Sequence, residues 1–168
     1  MSETDQTPVN RVVQRGLWFE EFTEGTLYEH RPGRTVTEAD NVLFTTLTMN
    51  TQALHLDAAW SAQQAGFGGQ RLINSMFTLS TIVGLSVSQL TQGTLVANLG
   101  FSEVAFPPAP LFAGDTLYAE TLCTGKRESR SRPGGEGVVN LTHIGRNQHG
   151  EVVARAARAT LVRKQPTE

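Results

Sequence analysis

The segment at residues 48–57 carries the densest cluster of polar side chains in the chain and contains the strongest candidates for chemistry. His55 is the first of these, because an imidazole titrates near neutral pH and can both accept and donate protons. Asn50 offers an amide that can hold a water molecule or a carbonyl group but cannot serve as a base. Asp57 lies two residues after His55, which would place both side chains on one face of an extended backbone. The segment therefore predicts acid–base chemistry centred on His55, with a purely structural role for this histidine as the alternative.

Two aspartates near this cluster have a simpler explanation as helix caps. Asp57 directly precedes the run AAWSA at residues 58–62, and aspartate is a preferred residue at the N-cap position. Asp40 lies three residues after Thr37, which is the spacing of a capping box at a helix start. We therefore expect both carboxylates to cap helices.

The remaining histidines are weaker candidates for a site. His30 lies beside a Pro-Gly turn and His149 lies in a hairpin turn, so both are expected to be solvated. His143 alternates with Val139 and Leu141 along one face of a strand, which predicts a packed or interface histidine.

The composition indicates one globular domain. The chain has 168 residues, 39% of them hydrophobic and 18% charged, and a formal net charge of −2. This weak negative charge gives no electrostatic basis for binding nucleic acid or an anionic membrane. Cys123 is the single cysteine, and the spacing of cysteine and histidine predicts no metal site.

The ends of the chain are expected to differ from its middle. Residues 1–15 are polar and predict a flexible N-terminal arm without the features of a signal peptide, which favours a cytoplasmic location. The domain itself is expected at residues 16–164, followed by a short tail at residues 165–168.

Helical periodicity is strongest at residues 72–90, where apolar residues recur at spacings of three, four and seven. Further apolar residues fill much of the remaining circumference, so this helix should be buried on most sides. A shorter helix is predicted after Thr37.

Strand patterns occur on both sides of the long helix. The strand at residues 94–101 alternates with period two, which places Leu95, Ala97, Leu99 and Phe101 on an expected core face. The predicted strands are at residues 26–35 (interrupted by Pro32-Gly33), 94–101, 116–125, 138–145 and 152–162, with a hairpin turn at 147–150. This order predicts an α+β fold class, a single domain in which an antiparallel sheet wraps around the long central helix.

Several short motifs along the chain resemble a known family. TVTEAD at residues 35–40 is followed by LTMN at 47–50 and LHLD at 54–57, and LFAGDTL occupies residues 111–117. In this order the motifs resemble those of the MaoC-like dehydratases, the (R)-specific enoyl-CoA hydratase group of the hot-dog fold. The resemblance covers about residues 18–162 and implies that the long helix is the one enclosed by the hot-dog sheet.

Further segments resemble one branch of that family. FEEF at residues 19–22, DNVLFT at 40–45, MNT at 49–51 and residues 129–133 are similar to the β-methylmalyl-CoA (mesaconyl-CoA) dehydratases. The resemblance implies a hydro-lyase that adds water reversibly to a short branched or dicarboxylic enoyl-CoA.

The resemblance also implies roles for single residues. His55 matches the family histidine that, together with an aspartate, orients the reacting water, and the backbone amide of Ser75 matches the oxyanion position at the start of the long helix. Asn50 stands in the place of the catalytic aspartate, and Gln52 in the place of the asparagine that follows it. Gln52 and Asn74, which directly precedes Ser75, are expected to bind substrate.

The asparagine at position 50 leaves several hypotheses open, because an amide cannot share the work of a base. His55 could act as the single acid and base while Asn50 positions the water, which is the hypothesis we favour. A substrate carboxylate or Asp57 could replace the missing acid, or the domain could bind acyl-CoA without hydrating it well. A hot-dog thioesterase is a further alternative, for which Asp57 would be the best-placed carboxylate.

The family resemblance also suggests partners. Arg130 and Arg132 belong to a basic loop at residues 126–136, which is either a solvated hairpin or a contact for the phosphates of coenzyme A through forked hydrogen bonds. No cofactor is expected besides the coenzyme A of the substrate. A homodimer, or a higher oligomer built from dimers, is expected, because the family places its site at a subunit interface and an open sheet edge needs to be covered.

Overall fold

The computed structural model describes residue 10 and residues 12–167, so the predicted arm at residues 1–15 and Glu168 of the predicted tail fall mostly or wholly outside the described residues. The elements in chain order are a 3₁₀ helix (Phe19–Glu21), β1 (Leu27–Thr35), α1 (Glu38–Leu47), α2 (Ala53–Leu56), α3 (Ala58–Ser61), a 3₁₀ helix (Ala65–Phe67), α4 (Ser75–Leu90), β2 (Leu95–Ala105), β3 (Thr116–Glu128), β4 (Glu136–Arg146) and β5 (Val152–Arg163). Within the described residues, no helix is both long and apolar enough to cross a membrane.

The strands form one antiparallel sheet in the order β1-β3-β4-β5-β2. The register of β1 shifts between His30 and Arg34, at the predicted Pro-Gly interruption. The predicted hairpin turn joins β4 to β5, where the Asn147 side chain accepts the backbone N–H groups of His149 and Glu151. The α+β class and the antiparallel sheet are confirmed.

The core lies between α4 and one face of the sheet, because α4 packs against β1, β3, β4 and β5. Ile82 of α4 is fully buried and lies over Gly145 of β4, where an added β-carbon would come within 2.7 Å of the Ile82 Cγ2 atom. Glycine at this position therefore allows the helix to approach the sheet closely. Leu117 and Val153 complete the contact around Gly145.

The long helix begins at Ser75, three residues later than the periodicity predicts. The N–H of Leu72 donates to the carbonyl of Leu54 at 2.9 Å, and the N–H of Ile73 donates to the carbonyl of Leu111 at 2.9 Å. These bonds hold the backbone in an extended conformation although the side chains continue the helical period. Tertiary hydrogen bonds thus override the local pattern at the helix start.

The expected core face of β2 is wrong for the single chain. Leu99 is 52% exposed and Phe101 is 42% exposed, because β2 is the edge strand and its register shifts at several points along β5. The burial predicted for α4 is only partly right, since Met76 and Val87 are also exposed. Apolar surface therefore remains uncovered in the single chain, on β2 and on α4.

Candidate active site

The start of α1 has the predicted capping box. The Thr37 hydroxyl accepts the N–H of Asp40 at 3.2 Å, and the Asp40 carboxylate accepts the N–H of Thr37 at 2.9 Å. Arg34 forms an ion pair with Asp40. Burial acts to raise the pKa of Asp40, but the hydrogen bonds from Thr37 and the charge of Arg34 outweigh it and lower that pKa below its ordinary value. Asp40 is a capping residue, as predicted.

The end of α1 is a turn that presents Asn50. Met49 has a left-handed backbone conformation with φ 56°. Its N–H donates to the carbonyl of Thr46 at 3.1 Å, and the N–H of Asn50 donates to the carbonyl of Thr45 at 3.0 Å. This is the pattern of a Schellman cap. The Asn50 side-chain oxygen then accepts the N–H of Gln52 at 3.1 Å. Asn50 is thus held half-buried at the start of α2, whereas Gln52 is exposed.

His55 lies in α2 with only 8% of its surface exposed. Its Nδ1 atom lies 2.9 Å from the carbonyl oxygen of Leu72. Because a carbonyl oxygen can only accept, Nδ1 must carry the hydrogen in this bond. The neutral ring then has its lone pair on Nε2, which has no hydrogen-bond partner among the described residues and is the atom able to accept a proton.

Asp57 caps α3, as predicted. Its carboxylate accepts the N–H of Trp60 at 2.8 Å, and its side chain is exposed. A carboxylate used in this way satisfies a helix terminus and is no longer the best-placed base for attack on a thioester.

The start of α4 presents an unpaired backbone donor. Asn74 is buried and caps the helix by accepting the N–H of Met76 at 3.0 Å on its side-chain oxygen. Within the described part of the chain, the N–H of Ser75 has no acceptor. It lies at the positive end of a 16-residue helix, where negative charge is stabilised.

One buried side chain that the sequence analysis missed connects α2 with the residues at the start of α4. Asn41 is 2% exposed and hydrogen-bonds to the carbonyls of His55 and Leu72 and to the N–H of Asn74. In the sequence it appeared only within the branch motif at residues 40–45. No local pattern marks it, because its partners lie 14 to 33 residues further along the chain.

Two cavities flank the start of α4. The first measures about 180 Å³ and is lined by Ser75 together with Leu72 and mostly apolar neighbours, among them Ile73, Val153 and residues 106–111. The second measures about 390 Å³ and is lined by Asn50, Asn74, Phe44, Thr48, Met76 and Ser80.

The predicted site residues divide between these two cavities. Asn50 and Asn74 line the larger one, whereas Ser75 lines the smaller one. His55 lines neither, but its hydrogen-bond partner Leu72 lines the cavity of Ser75. Within the described residues, no group of three His, Cys, Asp or Glu side chains could hold a metal ion.

The basic loop lies at the far end of the sheet from Ser75. The smaller cavity lies near the start of β3, whereas Arg130 and Arg132 follow the end of this 13-residue strand. A strand of that length spans roughly 40 Å. Arg132 pairs with Glu136 at 2.9 Å and Arg130 is exposed. A single chain therefore does not bring these arginines to Ser75.

The prediction for His30 is wrong, because this side chain is only 2% exposed. Its ring nitrogens lie 2.7 Å from the Gln89 side-chain oxygen and 2.8 Å from the Thr121 hydroxyl. Burial lowers the pKa of His30. His143 is fully buried and His149 is exposed, both as predicted.

The amino-acid sequence matches a known protein family. A family model, described as a MaoC like domain, matches residues 20–145. The chain belongs to the MaoC-like domain family. The resemblance found in the sequence motifs is confirmed.

This MaoC-like domain is similar to two curated proteins over most of its own length. It is 33% identical to "Beta-methylmalyl-CoA dehydratase" of Chloroflexus aurantiacus over 89% of the chain. It is 31% identical to "Mesaconyl-CoA hydratase" of Cereibacter sphaeroides over 90% of the chain. The chain spans only 41% and 43% of the length of these two relatives.

A solved structure identifies the fold of the MaoC-like domain. A Mycobacterium tuberculosis protein described as having a double hot-dog fold matches 91% of this chain with a TM-score of 0.76 and 23% identity. The chain covers 46% of that protein. The hot-dog fold is thereby confirmed, with α4 as its central helix.

Proposed function

We propose that this MaoC-like domain catalyses the reversible addition of water to a short enoyl-CoA and so acts as a hydro-lyase. The observation that carries the proposal is the hydrogen bond from His55 Nδ1 to Leu72, which leaves Nε2 as a base close to the start of α4. The unpaired N–H of Ser75 lies only three residues beyond Leu72. The two curated relatives, named as a dehydratase and a hydratase of CoA esters, support the same reaction.

His55 and the N–H of Ser75 have different roles in the proposed hydration. His55 Nε2 removes a proton from water while the water oxygen bonds to the β-carbon of the enoyl group. The electron pair of the double bond moves toward the thioester oxygen, where the Ser75 N–H and the α4 dipole stabilise the enolate charge. The imidazolium then returns the proton to the α-carbon. The sum is one water added across the double bond, and dehydration is the reverse.

Asn50 is proposed to position the water for His55. Its side-chain oxygen is occupied by the N–H of Gln52, so its amide N–H groups are the part left for a ligand. An amide of this kind can orient a water but cannot deprotonate it, which leaves His55 as the single acid and base. Asn74, which lines the same cavity as Asn50, and the exposed Gln52 are proposed to contact substrate.

The size of the smaller cavity favours a short acyl chain. At about 180 Å³ it is only slightly larger than a cavity known to hold one benzene molecule, of about 150 Å³. This volume suits an acyl group of four or five carbon atoms. We propose a branched or dicarboxylic group like those of β-methylmalyl-CoA and mesaconyl-CoA, for which the names of the two relatives are the support.

A second candidate function is that of an acyl-CoA-binding subunit with little turnover. It is favoured by Asn50, which stands where a second catalytic carboxylate is expected from the family resemblance. A thioesterase has no comparable support, because Asp57 is engaged as a helix cap.

We also propose that two copies assemble through the β2 edge. Leu99, Phe101, Val104 and Phe106 expose apolar surface on or beside this strand, and an unpaired edge favours strand addition. In such a dimer, Arg130 and Arg132 of the second copy are proposed to approach a CoA bound beside Ser75, since the same chain holds them at the far end of the sheet.

The test is an assay at the absorption band of the enoyl thioester, with crotonyl-CoA and mesaconyl-CoA as substrates. We expect absorbance to change without release of free thiol. The His55→Ala variant should lower kcat/KM by about 10²–10⁴-fold, because a general base contributes that much.

His149→Ala is the matched control, since it removes an exposed histidine from the β4–β5 turn. It should leave the rate unchanged. Release of thiol would instead indicate a thioesterase, and neither signal would indicate the binding subunit. A His55→Ala variant as active as the wild type would overturn the role of this imidazole.

A further inference from the structure

Asn41 of α1 makes three hydrogen bonds through its side-chain amide, to three different segments of the chain. Its Nδ2 donates to the carbonyl of His55 at 3.0 Å and to the carbonyl of Leu72 at 3.1 Å. Its Oδ1 accepts the N–H of Asn74 at 2.9 Å. Because two partners can only accept and the third can only donate, the amide has a single workable orientation.

These three bonds join the segments that carry the proposed reacting groups. Leu72 is the residue whose carbonyl also accepts the Nδ1–H of His55, so Asn41 and the imidazole share one acceptor atom. Asn74 is the N-cap of α4, and the next residue, Ser75, presents the proposed oxyanion donor. One side chain therefore touches the backbone of the histidine, the anchor of its ring, and the helix start.

The surroundings make this arrangement costly to disturb. Asn41 is 2% exposed, so loss of the amide would remove the side-chain partner of the His55 carbonyl and of the Asn74 N–H and would leave the Leu72 carbonyl with the His55 ring alone. Water cannot readily reach such a position to replace it. The three segments would then adjust independently of one another.

We propose that Asn41 is a positioning residue for the reaction, which holds the His55 ring and the Ser75 N–H in a fixed relation to each other. The inference rests on the proposed hydration. It adds that the base and the oxyanion donor are aligned by a single buried amide. Since a displacement of about 1 Å can cost 10²-fold in rate, the alignment is worth a measurable part of kcat.

The test compares Asn41→Ser with Asn147→Ser. Asn147 is a matched control, because it is also buried, at 5% exposure, and its side chain also makes three hydrogen bonds, but to the hairpin residues His149 and Glu151. Both variants should lose stability toward urea. Only Asn41→Ser should lower kcat on crotonyl-CoA, by about ten- to hundredfold, while KM changes by less than about threefold since the binding surface is kept.

A second measurement does not depend on turnover. Nitrogen-15 NMR of the imidazoles distinguishes the Nδ1–H from the Nε2–H tautomer. In the wild type we expect His55 in the Nδ1–H form, and in Asn41→Ser and in the nearly isosteric Asn41→Leu a mixture of the two, because the carbonyl of Leu72 is no longer held in place.

The results separate this inference from the proposed function. If the wild type does not hydrate any enoyl-CoA, the proposed function fails, and the NMR measurement alone decides the role of Asn41. An unchanged His55 tautomer in both folded variants would overturn the inference. Equal losses of kcat in Asn41→Ser and Asn147→Ser would also overturn it, because general destabilisation would then explain the effect.

Discussion

A backbone carbonyl determines which ring nitrogen of His55 is able to accept a proton. The bond from Nδ1 to Leu72 assigns the hydrogen to one side of the ring and leaves the lone pair on the other. The residue type alone would allow either tautomer. Because this bond fixes the tautomer of the buried neutral ring, Nε2 is the nitrogen available to accept a proton.

Ser75 offers a way to remove a single backbone donor. It is the first residue of α4, where proline is well tolerated because the N–H has no intrahelical partner. Asn74 has φ −60° and ψ 124°, which is compatible with a following proline. Ser75→Pro should therefore fold and lower kcat by about 10²–10³-fold through loss of the oxyanion donor.

Ser75→Ala is the control for this substitution, because it removes the hydroxyl and keeps the N–H. Its kcat should stay within a few-fold of the wild type in the same enoyl assay. If Ser75→Pro folds, as judged by circular dichroism, and turns over at the wild-type rate, the oxyanion donor lies elsewhere.

At the scale of elements, short turns decide where the polar groups lie. Helix α1 ends in a turn at Met49, whose left-handed conformation usually favours glycine. This turn places Asn50 just before α2. The α4 start is set by Asn74 and by the hydrogen bonds of Leu72 and Ile73 to neighbouring segments. Both ends of this polar region are thus fixed by capping hydrogen bonds.

The edge strand β2 carries the prediction for assembly. Phe101→Lys places a charge on the exposed edge and should convert the proposed dimer to monomer, as measured by analytical ultracentrifugation. Leu47→Lys is the control, because Leu47 is an equally apolar and more exposed residue, at 74%, but lies on α1. If both variants remain dimeric, or if the wild type is a monomer, the β2 edge is not the interface.

At the scale of the whole molecule, a series of buried side-chain hydrogen bonds runs across the strands of the sheet. Arg158 of β5 donates its Nε–H to Nε2 of His143, so His143 must be neutral with its hydrogen on Nδ1, which donates to Thr121. The Thr121 hydroxyl then donates to Nε2 of His30, whose Nδ1–H donates to Gln89 of α4. Each bond in the series has its direction set by the arginine at its end.

This series of buried hydrogen bonds makes the free energy of unfolding depend on pH. Burial, followed by the charge of Arg158 and by His30, lowers the pKa of His143 from 6.5 to about 3. The unfolded imidazole therefore binds a proton below pH 6.5 that the folded one refuses, so the free energy of unfolding falls as the pH falls from about 6.5 towards 3. For His143 the loss between pH 7.5 and pH 5 is about 2 kcal/mol. Urea unfolding at these two pH values measures it.

His143→Gln isolates this contribution, because glutamine can still accept from Arg158 and donate to Thr121 but does not titrate. Its loss of stability over the same pH range should be smaller by about 2 kcal/mol. His149→Gln, at an exposed position, should behave like the wild type. Equal pH dependence in His143→Gln and the wild type would show that His143 is not held neutral.

The amino-acid sequence by itself determined the fold class and the family, and it predicts His55 as the reactive side chain. Periodicity predicts the long helix and the strands, and the caps at Thr37 and Asp57 follow from local hydrogen bonding that a short segment already specifies. His55 and Asn50 stand out because chemistry-bearing residue types are close together in a short motif.

Only the tertiary structure decided the burial of His30, the tautomer of His55 and the hydrogen bonds of Asn41. The partners of these groups lie far away in sequence, as with His30 and Thr121, which are 91 residues apart. A local pattern reports what a segment prefers, but a buried hydrogen bond depends on which distant groups the folded chain brings within about 3 Å. The exposed face of β2 has the same origin, since the alternation of a strand does not say whether a neighbour covers it.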